Sequence, residues 1–171
     1  MTAAFTLAEL IMVSGLSLVV ATIALGVTKI SSQALFAIHG QGLVQMQLNT
    51  AMGTLSQDVR LATSAASGLA GTVTTLTLTV PSIDASGAVI PWTSDTFRYD
   101  YDSATGNLQR TITPNAASSR TSQVFVVARG FTLVTFTPTA NAVTIALGAR
   151  RTEGNYAFDG NLSTQVAFRN I

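Results

Sequence analysis

Two hydrophobic patterns divide the chain, and the first is a continuous apolar run. Residues 10–28 are 19 consecutive uncharged residues, bounded by Glu9 and Lys29. A helix of that length crosses the ~30 Å hydrocarbon core of a membrane. Thr6 stands just before the run and is a typical helix cap, because its hydroxyl can accept a backbone N–H of the first turn. The run therefore predicts a membrane-spanning helix over residues 5–29.

The helical pattern continues beyond the apolar run. Residues 30–62 contain no proline, and apolar side chains recur there at steps of four and three. This spacing places them on one face of an amphipathic helix. We expect residues 30–63 to be the amphipathic half of the same helix, with its buried face formed by Leu48, Met52, Leu55, Val59 and Ala62.

Alternating patterns begin after the helix. In residues 74–80 and 96–102 every second residue is a large apolar or aromatic one, which is typical of half-buried strands. Further strands are expected at residues 108–113, 123–128, 131–137, 142–149 and 163–169. Residues 64–71 are interpreted as a flexible helix exit, residues 155–161 as a loop, and residues 150–153 as a solvated turn. The predicted fold class is α+β, with the long N-terminal α-helix packed on a C-terminal antiparallel β-sheet domain, residues 64–171.

Charge is sparse and unevenly placed. Charged residues are 10% of the chain and the net charge is +1, and only two of the 17 charged residues precede Asp58. A net charge this small, carried by so few residues, does not indicate the extended basic surface that binds nucleic acid. The chain has no cysteine, which excludes a disulfide scaffold. Its only histidine, His39, lies on the predicted helix without a catalytic partner in the pattern, so we expect no enzyme and no cofactor.

Glu9 is the unusual residue of the N-terminal segment. A carboxylate at the head of a membrane helix costs about 2.5–3.5 kcal/mol on insertion scales, so it indicates either a function or a position at the interface. The residues around it, Phe-Thr-Leu-Ala-Glu-Leu at positions 5–10, resemble the N-terminal motif of type IV prepilins and type II secretion pseudopilins. In those families the motif is likewise followed by an apolar helix.

The resemblance implies a processing site and an assembly residue. A prepilin peptidase would cut between Ala4 and Phe5 and methylate the new amino group of Phe5. Residues 1–4 would then be a short leader, or the end of a longer one. Glu9 would be the assembly glutamate, which pairs with the amino terminus of a neighbouring subunit in the filament.

A second similarity lies at the end of the predicted helix. The segment Leu55 to Arg60, with Asp58 inside it, resembles a Leu-x-x-Asp-Leu/Val-Arg motif of the larger minor pilins and J-type pseudopilins. The final Arg169-Asn170 is similar to the end of that branch. The resemblance implies a pilin-like fold and a structural subunit of a type IV pilus, in particular a minor pilin, or of a secretion pseudopilus. Its partners would be other pilin subunits and the prepilin peptidase. It would cross the inner membrane once before assembly, and the filament would then lie in the periplasm or at the cell surface.

Two alternatives stay open, together with two minor site candidates. One alternative is a single-pass membrane-anchored binding module that does not polymerise. The other is a secreted β protein from which the hydrophobic N-terminal segment is removed. Asp100 and Asp102 supply oxygen ligands in one short turn but fall short of the six to eight that Ca²⁺ takes, and Asp100 is expected to pair weakly with Arg98 or Arg110. Trp92 is interpreted either as closing the domain core, the commoner case, or as an exposed binding anchor.

Overall fold

The fold consists of one long helix followed by strands. A computed structural model describes residues 6–154 and 156–169. Within these ranges the elements are helix α1 (Leu7–Leu61) and strands β1 (Ser64–Ala70), β2 (Val73–Ile83), β3 (Val89–Asp102), β4 (Asn107–Thr113), β5 (Gln123–Ala128), β6 (Phe131–Pro138), β7 (Ala142–Glu153) and β8 (Tyr156–Ala167). The chain divides into two compact units, Met1–His39 and Gly40–Ile171.

The second part of α1 supplies one side of the domain core. Burial begins at Gly40 and then recurs every three or four residues, as an amphipathic helix requires. The buried face predicted from the sequence is confirmed, because Leu48, Met52, Leu55, Val59 and Ala62 are all buried. The helix is therefore packed on antiparallel β-sheets, and the coarse α+β prediction is confirmed.

The strands form two antiparallel sheets rather than one. Strands β1 to β5 follow one another in chain order in the first sheet, and β6 to β8 form the second. Alternate residues of β2 and β3 face inward, as their sequence pattern predicts: Leu76, Leu78, Val80, Phe97, Tyr99 and Tyr101 are buried. One hydrophobic cluster contains buried side chains from α1 and from both sheets.

Two glycines permit close contacts in this core. An ideal Cβ built on Gly40 would lie 2.4–2.8 Å from atoms of the Phe158 ring, so any larger residue there would require the ring to shift. Gly106 has a positive φ of 68° in the β3–β4 turn, and a Cβ there would meet the carbonyl oxygen of Phe131 at 2.9 Å. The backbone N–H of Phe131 donates to the carbonyl of Gly106 at 3.0 Å, which joins the two sheets at this point.

Three local predictions were wrong. The segment expected to be a flexible helix exit contains β1, which pairs with β2 from Ser64↔Thr79 to Ala70↔Val73. The expected loop at 155–161 belongs largely to β8, which pairs with β7 as far as Glu153↔Tyr156; Asn155 itself lies outside the described residues. The expected turn at 150–153 is the end of β7. In each case strand pairing outweighs a weak local propensity.

Candidate functional site

The N-terminal segment exposes an apolar surface along its whole described length. Every residue from Thr6 to His39 is exposed. The helix is long and apolar enough to span a membrane, and no part of its most apolar stretch is buried within the fold. An apolar surface of this extent marks a site of contact with lipid or with other protein.

Hydroxyl groups within this surface are satisfied by the helix itself. All four hydroxyl side chains of residues 10–28 donate to a carbonyl three or four residues earlier; they are Ser14, Ser17, Thr22 and Thr28. In an apolar medium a hydroxyl without a partner is costly, and bonds back to the helix backbone remove that cost. The segment thus presents no unsatisfied hydroxyl between residues 10 and 28.

Glu9 is held in the first turn of α1 by Thr6. The backbone N–H and the hydroxyl of Thr6 each donate to Oε2 of Glu9 at 2.9 Å. The N–H of Glu9 points back to the Thr6 hydroxyl at 3.4 Å. This reciprocal arrangement is a capping box. The partial positive charge at the N-terminus of the helix also favours a carboxylate there. Glu9 therefore has a local role that is separate from any role in assembly, and its carboxylate remains exposed.

The predicted processing site is not placed by the structure. Ala4, Phe5 and the leader at residues 1–4 lie outside the described residues, as does Asn170. The prediction of cleavage and methylation there stays a prediction.

The second sequence motif places a carboxylate inside the domain. Asp58 is only 4% exposed although it lies on α1. The hydroxyl of Tyr99 donates to its Oδ2 at 2.5 Å, and Nη2 of Arg110 donates to its Oδ1 at 2.7 Å. Arg110 in turn lies over the rings of Phe97 and Phe125, 4.7 and 5.3 Å from their centroids. Asp58, Tyr99 and Arg110 thus connect the helix to β3 and β4.

Burial favours the protonated, uncharged form of both acidic groups in this cluster. It raises the pKa of Asp58 above its usual value, and the bonds from Tyr99 and Arg110 only partly counter the increase. Burial and the neighbouring Asp58 also raise the pKa of Tyr99, which keeps its hydroxyl protonated as a donor. Of the two partners expected for Asp100, the structure shows Arg98, at the surface. Arg110 is not available to Asp100, because the register pairs Arg110 with Tyr99 and its side chain reaches Asp58.

A second buried carboxylate, Asp95, was not singled out by the sequence. It is fully buried and accepts bonds from Ser82 Oγ at 2.7 Å, Asn115 N–H at 2.8 Å and Ser118 Oγ at 2.8 Å. Arg120 also forms an ion pair with it. Burial acts to raise the pKa of Asp95, but these hydrogen bonds outweigh it and lower the pKa. No sequence spacing links these residues, so only the fold reveals the group.

The two weak metal candidates serve other contacts. Asp100 pairs with Nε of Arg98 at 2.8 Å, at the surface. Asp102 accepts the N–H of Ala104 at 3.0 Å and the hydroxyl of Thr105 at 2.9 Å, which organises the β3–β4 turn. Across residues 6–154 and 156–169, no three metal-ligating side chains of the His, Cys, Asp and Glu types come together.

Trp92 does not close the core. Its side chain is fully exposed, and it is the one residue other than glycine with a positive φ, 64°, in the described part of the chain. The alternative interpretation from sequence, an exposed tryptophan, is the one that the structure supports.

Comparisons of the chain with protein-family models, with curated proteins and with solved structures returned no match.

Proposed function

We propose that this chain is a structural subunit of a type IV pilus, as a minor pilin, or of a secretion pseudopilus, and that it assembles through its N-terminal helix after cleavage before Phe5. One observation supports the proposal most strongly. The segment from Thr6 to His39 is exposed throughout and largely apolar, and its one carboxylate, that of Glu9, lies in the first turn of α1. The motif resemblance at residues 5–10 supplies the class of assembly.

The chemistry of assembly follows from the cost of an unpaired charge. In a filament, apolar helices pack side by side and exclude water. A carboxylate in that interior is costly unless a cation lies beside it. The amino terminus of a neighbouring Phe5 would supply the cation, so that only the correct axial register pairs the two charges. Glu9 would then select register, while the apolar surface would supply most of the attraction.

A plain membrane anchor makes weaker demands. It needs hydrophobicity along residues 10–28, and it needs neither a charge at position 9 nor a free amino group at position 5. In an anchor the capping box alone would account for Glu9. The two functions therefore differ in whether the charge of Glu9 matters once its cap is preserved.

Two matched variants separate the charge from the cap. Glu9→Gln keeps an acceptor for the Thr6 N–H, because glutamine also completes a capping box, but it removes the charge. Thr6→Ala removes the cap and keeps the charge. Both are expressed in the native organism, and the amount of the chain in sheared surface filaments is compared with the amount in the membrane fraction.

The proposal predicts loss of filament-associated protein in Glu9→Gln with an unchanged membrane fraction. Thr6→Ala should assemble close to the wild-type level, because removal of a cap costs only about 1 kcal/mol. Wild-type assembly by Glu9→Gln would contradict the proposal. So would loss of assembly in Thr6→Ala alone, since the cap would then be the functional feature.

A further inference from the structure

Trp92 lies at the tip of a large irregularity in β3. The β2–β3 register runs without interruption from Val73↔Asp102 to Pro81↔Ser94 and resumes at Ile83↔Val89. Between these pairs, residues 90–93 of β3 oppose the single residue Ser82 of β2. Bulges of this kind redirect a side chain and are frequent beside functional sites. This one turns the indole of Trp92 into solvent.

The backbone at this position is strained for a bulky residue. Trp92 has φ 64°, a left-handed conformation that glycine adopts readily and that large side chains rarely adopt. Strain of this type persists only where the surroundings impose it, and it is concentrated at functional sites. If this position served only to shape the backbone of the bulge, glycine would be the more stable residue there.

The Asp95 group lies at the base of the bulge. Ser82 and Asp95 are both fully buried and bonded to each other, and they lie on the two strands that flank the bulge. Arg120 joins them by donating to the carbonyl of Pro81 at 2.6 Å as well as pairing with Asp95. The base of the bulge is therefore fixed, and Trp92 is presented on a rigid support.

Beside Trp92 is an open depression of about 450 Å³ without a charged side chain in its lining. Its walls are apolar, and its polar groups are hydroxyls. The hydroxyls of Thr63 and Thr93 donate to the carbonyls of Thr79 and Ile90, each at 3.2 Å. Their oxygen lone pairs remain available to accept from a ligand. The lining residues are Thr63, Thr79, Pro81, Val89, Ile90, Pro91, Trp92, Thr93 and Ser94.

We propose that this depression binds a neutral saccharide, with one pyranose ring stacked on Trp92. The C–H groups on one face of such a ring are weakly positive and apolar, and they suit the negative face of an indole. Its hydroxyls at the ring edge are donors for the threonine and serine oxygens. A lining without charge fits a neutral ligand and offers nothing to an acidic or basic one.

Other ligands fit the same features less well. A proline-rich peptide docks into a groove lined by several aromatic rings, whereas Trp92 is the one aromatic side chain in this lining. A membrane surface is bound by apolar side chains together with Lys or Arg. The guanidinium of Arg120, which donates to the carbonyl of the lining residue Pro81, is already paired with Asp95.

The inference is independent of filament assembly, and the chain offers a direct probe. Trp92 is the only tryptophan of the protein, so indole fluorescence reports this site alone. The full chain in detergent is titrated with neutral disaccharides (cellobiose, maltose, lactose and N,N′-diacetylchitobiose) while acrylamide quenching is measured. At least one should protect Trp92 with a Kd of about 0.1–10 mM, the range expected of a small open site.

Variants assign the binding to the indole. Saturation-transfer NMR, which does not need the tryptophan, should show at least a tenfold weaker interaction in Trp92→Ala and an unchanged one in Tyr156→Ala, an exposed aromatic outside the site. Trp92→Gly should raise the midpoint of thermal unfolding, because glycine relieves the positive φ.

Several results would overturn the proposal: no protection by any of the saccharides, equal loss of binding in Tyr156→Ala, or a lower unfolding midpoint in Trp92→Gly. Protection by an oligoproline peptide or by phosphatidylcholine vesicles instead of a saccharide would also overturn it and would identify the class of ligand that replaces it.

Discussion

The domain should be strongly destabilised when the buried group of Asp58, Tyr99 and Arg110 loses one of its members. Asp58→Ala leaves the Arg110 guanidinium, whose side chain is only 14% exposed, without its carboxylate. Removal of one partner of a buried ion pair costs about 3–5 kcal/mol. Tyr99→Phe removes one hydrogen bond to a charged group and keeps the pair, so we expect about 1.5–3 kcal/mol.

The same chain supplies a matched surface control. Asp100 and Arg98 form a carboxylate–guanidinium pair at a comparable distance, 2.8 Å, but the Arg98 side chain is 54% exposed. Solvent screens such a pair, and Asp100→Ala should cost less than about 1 kcal/mol. The contrast between Asp58→Ala and Asp100→Ala therefore measures the effect of burial on two chemically similar pairs.

Pulse proteolysis in urea is the suitable assay. Trp92 is already exposed in the folded state, so its fluorescence should change little when the domain unfolds. We expect the apolar N-terminal segment to stay helical in detergent, so helical dichroism would also report domain unfolding poorly. A brief protease pulse measures the unfolded fraction directly. The double variant Asp58→Ala with Arg110→Ala completes a cycle, and its coupling energy should exceed about 1 kcal/mol. A cost for Asp58→Ala no larger than that for Asp100→Ala, or zero coupling, would refute the reasoning.

Two further predictions concern Asp95 and Gly40. The pKa of Asp95 is lowered in the fold, so the unfolded chain takes up a proton at this carboxylate before the folded chain does. The contribution of ionised Asp95 to the free energy of unfolding is therefore present above its unfolded pKa of about 3.9. It is lost as the pH falls through the lower pKa of the folded state. Urea titrations from pH 6 to pH 3 should show a flatter acid limb in Asp95→Asn, and an equal slope would contradict this. Gly40→Ala, which meets the Phe158 ring, should destabilise by about 1–3 kcal/mol. A Cβ on Gly42 would meet nothing within 4 Å, so Gly42→Ala should stabilise the fold by up to about 1 kcal/mol. Equal effects of the two substitutions would show that Gly40 is not tightly packed against the Phe158 ring.

Periodic patterns were sufficient to predict the core. The step of three and four residues located the buried face of α1 through Leu48, Leu55 and Val59, because helical geometry alone fixes which side chains share a face. The alternation in β3 likewise located Tyr99 and Tyr101. These predictions needed no knowledge of a partner element.

Predictions that depend on pairing were less successful. Apart from Leu69, strand β1 is built of serine, alanine and glycine and has little intrinsic strand preference. Its pairing with β2 decides its conformation. The partner of Arg110 depends on register, which places it beside Tyr99 and within reach of Asp58. Trp92 depends on a bulge that no local pattern announces. The groups around Asp58 and Asp95 join residues far apart in the chain, and composition cannot reveal them.

The central claim, that the chain is a prepilin-like subunit, is tested most directly by its mature N-terminus. The protein is recovered from the native organism, and its N-terminal peptide and intact mass are determined. The proposal predicts a chain that begins with N-methylated Phe5. A chain that retains residues before Phe5 would contradict it and favour a plain membrane anchor, and a chain that begins beyond Thr28 would make the β-rich domain a secreted protein without the assembly helix.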